Sequence, residues 1–102
     1  MKISLLHVLL SASVLLCGPA YAADVAAGKA KSDACVDCHG DDGTGDDESP
    51  NIAGMSVEKF TKAMQEFQAG TRTKSAKMVK EAKKLSAADI ANLAAYYQTL
   101  KK

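Results

Sequence analysis

The chain has 102 residues, with 13 Lys and Arg against 12 Asp and Glu and a formal charge of +1. That length is enough for one domain, and it shows no internal repeat. The near-neutral balance and the lack of any groove-reading motif argue against a nucleic-acid partner.

Residues 1–22 read as a secretory signal peptide. Lys2 gives a short positive start, Ile3 to Cys17 is an almost unbroken apolar run, and Gly18 and Pro19 break it. Ala20-Tyr21-Ala22 then supplies a small-x-small cleavage site. The run is short for a bilayer span, which argues for removal over a retained anchor. Cys17 raises the alternative of a lipoprotein anchor, but that signal wants a small residue just before the cysteine, and Leu16 stands there. The expected mature domain is 23–102, exported across the inner membrane to a periplasm.

Removal takes only Lys2 among the charges, leaving 12 basic and 12 acidic residues. They are unevenly spread. Asp24 to Glu48 holds eight acidic residues against Lys29 and Lys31, whereas from Ser49 onward ten basic residues face four acidic ones. This is either ordinary solvated surface or a dipole that orients the molecule as it meets a redox partner. About eighty residues make a marginal free-standing core, and the chain has no Trp and few aromatics. A staple or a bound group is expected to help fill the interior.

Asp24 is placed to cap a first helix through Ala26, Ala27 and Ala30, with Gly28 interrupting it. That helix leads into Cys35-Val36-Asp37-Cys38-His39, a C-x-x-C-H attachment site for c-type haem. Two thiols three positions apart on one turn can reach both vinyl groups of one haem edge and form thioethers. His39 then follows as the proximal iron ligand. A thioredoxin-like pair would need a βαβ context, and no strand-like alternation is present. A zinc site wants about four N or S ligands, and beyond residue 22 the chain offers only Cys35, Cys38 and His39.

From Gly40 to Gly54 the sequence is rich in Gly, Asp, Ser, Pro and Asn, which marks a long loop. A second helix is expected from Ser56, with Phe60, Met64 and Phe67 on one face and Gly70 ending it. Thr71 to Lys84 is polar and basic, and reads as mostly loop with at most a helical turn. Ser86-Ala87-Ala88-Asp89 gives a capping-box-like start to a last helix, striped by Ile90, Leu93, Tyr97 and Leu100.

His7 leaves with the signal peptide, so His39 cannot have a second histidine opposite it within one mature chain. The candidate sixth ligands are Met55, Met64 and Met78. Met64 falls in an apolar helical stripe and reads as core filler. Met55 sits just before the second helix. Met78 stands in the polar stretch between the second and last helices, where a loop can fold over the far face of a haem. Met78 is the favoured ligand. Met55, Met64, a lysine or an open site are the alternatives.

With these residues in place, the sequence resembles the class I c-type cytochromes, specifically the short bacterial periplasmic monohaem kind. The resemblance runs from Gly28-Lys29 through Cys35-Val36-Asp37-Cys38-His39-Gly40, Asp42-Gly43 and Pro50-Asn51-Ile52-Ala53-Gly54. It continues through Phe67-Gln68-Ala69-Gly70-Thr71-Arg72 and Met78, and closes with Leu85-Ser86-Ala87-Ala88-Asp89-Ile90 and Leu93-Ala94-Ala95-Tyr96-Tyr97. It implies an all-α cytochrome c fold, with three main helices wrapped around one covalent haem c and its iron. Cys35 and Cys38 would be the thioether sites, His39 the proximal ligand and Met78 the distal one. Gly28 would allow a close crossing of the first and last helices near Tyr96 or Tyr97. The Pro50 carbonyl would accept the imidazole N–H of His39, and Arg72 would either approach a haem propionate or stand in solvent. One departure is Lys77, where family members often carry Pro or a small residue before the ligand Met.

The resemblance implies an electron carrier rather than an enzyme, cycling ferric and ferrous iron and transforming no small-molecule substrate. Its exposed haem edge would meet redox partner proteins within a ring of charges such as Lys74, Lys77 and Lys80. The Ser49 to Met55 stretch also looks like the haem subunit of flavocytochrome c sulfide dehydrogenase, so a flavoprotein subunit is one candidate partner and a membrane oxidase or reductase another. The competing class is a haem sensor or peroxidase-like protein with an open sixth site.

Overall fold

Asp24 opens the first helix for a local reason. Its carboxylate accepts the Ala27 N–H at 3.1 Å, satisfying a donor that the helix start cannot. The computed structural model describes residues 23–101, so the expected signal peptide lies outside the described residues. Helix α1 spans Val25–Lys31 and α2 spans Asp33–His39. The break between them falls at Ser32 and not at Gly28. Ser32 is buried, its N–H reaches the Gly28 and Lys29 carbonyls, and its hydroxyl donates to the Lys29 carbonyl at 2.6 Å.

Gly28 has a different task. A Cβ there would overlap the Asn92 carbonyl oxygen and lie 2.9 Å from the Tyr96 Cβ. Only glycine lets α1 approach the last helix this closely, at the crossing near Tyr96 that the resemblance implied.

The segment from Gly40 to Ser56 is a loop held by its own short side chains. Asp42 accepts from Thr44, Asp46 from Glu48 and Ser49, and Asn51 from Ala53. These are the local side-chain-to-backbone bonds that compete with helix formation. The loop is pinned to the body where Gly54 N–H donates to the Tyr97 carbonyl at 2.8 Å.

Helix α3 spans Val57–Ala69, capped by Ser56 and ended by Gly70 in the left-handed region at φ 77°. Its Phe60 and Met64 are buried. Helix α4, Ala76–Lys83, lies in the stretch expected to be mostly loop, so Met78 sits in a helical first turn. Eight residues are too few to hold a helix alone. Two features stabilise this one. Ser75 caps it by accepting from Met78 N–H, and Ala82 is fully buried against the core. Helix α5, Ala87–Thr99, begins with the expected capping box between Ser86 and Asp89.

Thus five helices and no strand occur among the described residues, with α1 and α2 together standing where one helix was expected. The core is Phe60, Met64, Ala82, Ile90, Leu93, Ala94, Tyr96 and Tyr97, drawn from α3, α4 and α5. Cys35, Ile52, Met55 and Met78 pack on its margin. No helix among the described residues is long and apolar enough to cross a membrane.

Candidate haem-binding site

Helix α2 carries Cys35, Cys38 and His39. Residues three apart on a helix share a face, so the two thiols point the same way. Both are free and half-buried. His39 is buried, and its Nδ1 lies 2.9 Å from the Pro50 carbonyl oxygen. A carbonyl can only accept, so Nδ1 carries the hydrogen and Nε2 keeps its lone pair free to bind a metal. The loop therefore fixes both the tautomer and the ring plane of His39.

The two cysteines differ in surroundings. Cys35 packs against the core, and burial pushes its thiol above the ordinary range. Glu81 and Cys38 add to the upward push. Cys38 instead accepts a bond from Lys77 Nζ at 3.4 Å. That contact joins residues 39 apart in sequence and links the start of α4 to the end of α2 through one lysine side chain.

The three methionines are now distinguishable. Met64 is buried in the core as filler. Met55 lines an open cleft of about 480 Å³ with Asn51, Ala53, Gly54, Ser56 and Lys59. Met78 is half-buried beside Lys77, the residue that reaches Cys38. Arg72 bonds Glu66 through Nε at 3.0 Å and through a terminal nitrogen at 2.7 Å. Its guanidinium also lies over the Phe67 ring, 5.6 Å from the centroid. It pairs across the end of α3 and stays exposed to solvent.

Sequence reasoning missed three contributors. Gln68 donates from Nε2 to the Ala82 and Leu85 carbonyls, both at 2.9 Å, and so ties α4 to α3. Ser75 caps α4, and a serine two residues before a Lys-Met-Val run was a readable signal. Lys77, read as a departure from the family pattern and as one of a ring of docking charges, makes the contact to Cys38.

The arrangement fits a covalent haem better than a bare metal ion. Among the described residues, no three His, Cys, Asp or Glu side chains converge on a common point. Two free thiols on one helical face, a histidine with a fixed tautomer and an apolar margin are what thioether attachment and axial ligation require.

Comparison with known proteins agrees. The chain belongs to the class I c-type cytochromes: the cytochrome c family model matches residues 25–101. It is 40% identical over 81 residues to cytochrome c-554(548) of Halomonas halodenitrificans, covering 76% of this chain and 98% of that protein. It is 36% identical over 91 residues to cytochrome c-554(547) of Halothiobacillus neapolitanus, covering 78% of this chain and 100% of that one. The solved structure of Acidithiobacillus ferrooxidans cytochrome c4 superposes with a TM-score of 0.72 at 30% identity, over 81% of this chain and 52% of that one. The chain thus spans about half the length of that cytochrome c4. Membership brings one covalently bound haem c with its iron, and the role of an electron carrier rather than a catalyst.

Proposed function

We propose that the protein is a periplasmic monohaem electron carrier in which Cys35 and Cys38 hold the haem through thioethers, with His39 and Met78 as axial ligands. The observation that carries this reading is the His39 Nδ1 bond to Pro50, which leaves Nε2 as the free nitrogen on a buried ring. The bound haem supplies one-electron exchange between ferrous and ferric iron.

The protein's own residues set the conditions. Pro50 orients His39. Gln68 and Ser75 hold α4, and with it Met78, in place. A thioether ligand beside an apolar core favours the ferrous state and raises the potential. Two protein ligands leave no position for a substrate, which separates a carrier from a sensor or peroxidase.

Docking follows from charge. Lys77, Lys80, Lys83 and Lys84 lie on α4 or just past it, with Lys77 reaching Cys38, and Glu81 is paired with Lys84 at 2.8 Å. This surface suits a redox protein with an acidic face, met through a small and short-lived interface. Residues 1–22, with the features of an export signal, support the periplasmic location.

The test is the optical spectrum of the purified holoprotein in wild type and Met78→Ala. A weak near-infrared Met-to-iron band present in wild type and lost in the variant is the expected result. Its absence from wild type, or ready carbon monoxide binding by the ferrous protein, would move the open-site reading ahead.

A further inference from the structure

Tyr97 carries a hydroxyl with nowhere to go. The residue is 1% exposed, and its hydroxyl is the one buried side-chain polar atom without a hydrogen-bond partner among the described residues. Its ring is fixed on both sides. It stacks on Phe60 with centroids 5.8 Å apart and is tilted against Tyr96 at 5.1 Å. Gly43 lies so close that a Cβ there would come within 3.0 Å of the ring. The phenol cannot swing its oxygen to water, and burial pushes its pKa well above the usual range. An unpaired buried hydroxyl is destabilising, and phenylalanine would avoid it.

Cys35 and Ser32 are the hydrogen-bonding side chains beside the hydroxyl. Ser32 is already fixed by its bond to the Lys29 carbonyl at 2.6 Å, and from that place it makes no bond to Tyr97. Cys35 is different. As a free thiol it brings its own hydrogen. Once its S–H has added across a vinyl double bond, the sulfur keeps only lone pairs. It then becomes an acceptor matched to the single donor of the phenol.

We infer that the Tyr97 hydroxyl donates a hydrogen bond to the thioether sulfur of Cys35 and thereby acts as a positioning residue for the redox centre. The inference rests on the proposed attachment at Cys35. The bond holds the sulfur in one rotamer and draws electron density from it, which favours the ferrous state.

The experiment uses the purified holoprotein. Mass spectrometry of a haem-bearing peptide first establishes attachment at Cys35, and its failure would count against the proposed function instead. Tyr97→Phe is then poised at the wild-type midpoint potential. The ferrous-to-ferric ratio is expected to fall about threefold, or ~28 mV at 59 mV per decade for one electron, with the axial-ligand bands unchanged. In parallel, proton NMR of the reduced wild-type protein is expected to show a slowly exchanging Tyr97 hydroxyl proton with a cross-peak to the Cys35 β-protons. The second measurement decides the matter if the variant does not accumulate. An unchanged ratio with haem on Cys35, or a cross-peak to Ser32 in place of Cys35, overturns the inference.

Discussion

His39 and Pro50 are bound through imidazole Nδ1 and a backbone carbonyl at 2.9 Å, across eleven residues of loop. That carbonyl cannot be mutated directly, but its support can. Gly45 has φ 74°, and a Cβ there would overlap the Ser49 carbonyl oxygen and come 2.6 Å from the Pro50 oxygen. Gly45→Ala is therefore expected to displace the acceptor of His39. The strained backbone and the overlap together should cost about 1–3 kcal/mol. Denaturant unfolding of the holoprotein checks the stability, and the imidazole NMR resonances report whether the ring has moved. A variant of wild-type stability with unmoved His39 signals would show that the loop does not hold this histidine.

Gly28→Ala attacks the crossing of α1 and α5. The added Cβ meets backbone at Asn92 and the Tyr96 Cβ, neither of which is the end of a flexible side chain. The two helices must separate. A loss of about 1–3 kcal/mol or more is expected, and thermal unfolding followed by far-UV circular dichroism measures it.

The capping box of α5 gives a prediction in pH. The Asp89 carboxyl is held below the ordinary value of 3.8, chiefly because it accepts the Ser86 backbone N–H, with Lys31 adding a weaker attraction at 3.5 Å. A depressed folded-state value means the stabilisation is fully present above 3.8 and is lost as pH falls through the lower folded-state value. Asp89→Asn should flatten this part of the acid-unfolding curve and leave the neutral-pH slope unchanged. Ser86→Ala should lower stability by about 1 kcal/mol at neutral pH. Identical acid limbs in wild type and Asp89→Asn would count against this account.

Gln68→Ala tests how α4 is held. The substitution removes both donors from the Ala82 and Leu85 carbonyls. Each lost bond is worth about 0.5–1.5 kcal/mol net. The loss should be local: the α4 amides should exchange with deuterium faster while those of α5 keep their protection. Uniform acceleration through the whole molecule would mean that α4 is not a separately held element.

The helix starts were legible because caps are local chemistry. Asp24, Ser56 and Ser86 each accept a backbone N–H three residues on, and each was readable from the residue type and its spacing. The C-x-x-C-H motif was legible for the same reason, since its spacing sets both cysteines and His39 on one short helix. Helix α4 was not, because its stability comes from Ala82 against the core and from Gln68 in another helix. Neither contact leaves a mark in a stretch crowded with lysine. The break at Ser32 was placed at Gly28 on propensity, yet close packing against Asn92 explains that glycine. The meeting of Lys77 with Cys38 depends on how two helices settle, which periodicity cannot show.

The crossing at Gly28 also sets the order in which the chain can fold. The most extensive helix pairing joins α1 to α5, and Asp24 N–H bonds the Asn92 side chain 68 residues away at 2.8 Å. Closing so long a loop must precede the contacts that reward it. A chain emerging amino-terminus first therefore presents Cys35, Cys38 and His39 long before the last helix supplies the Tyr96 and Tyr97 part of the core against which Cys35 packs. On the proposed attachment, both thiols are reachable throughout emergence, and the body packs against Cys35 only when the last helix arrives.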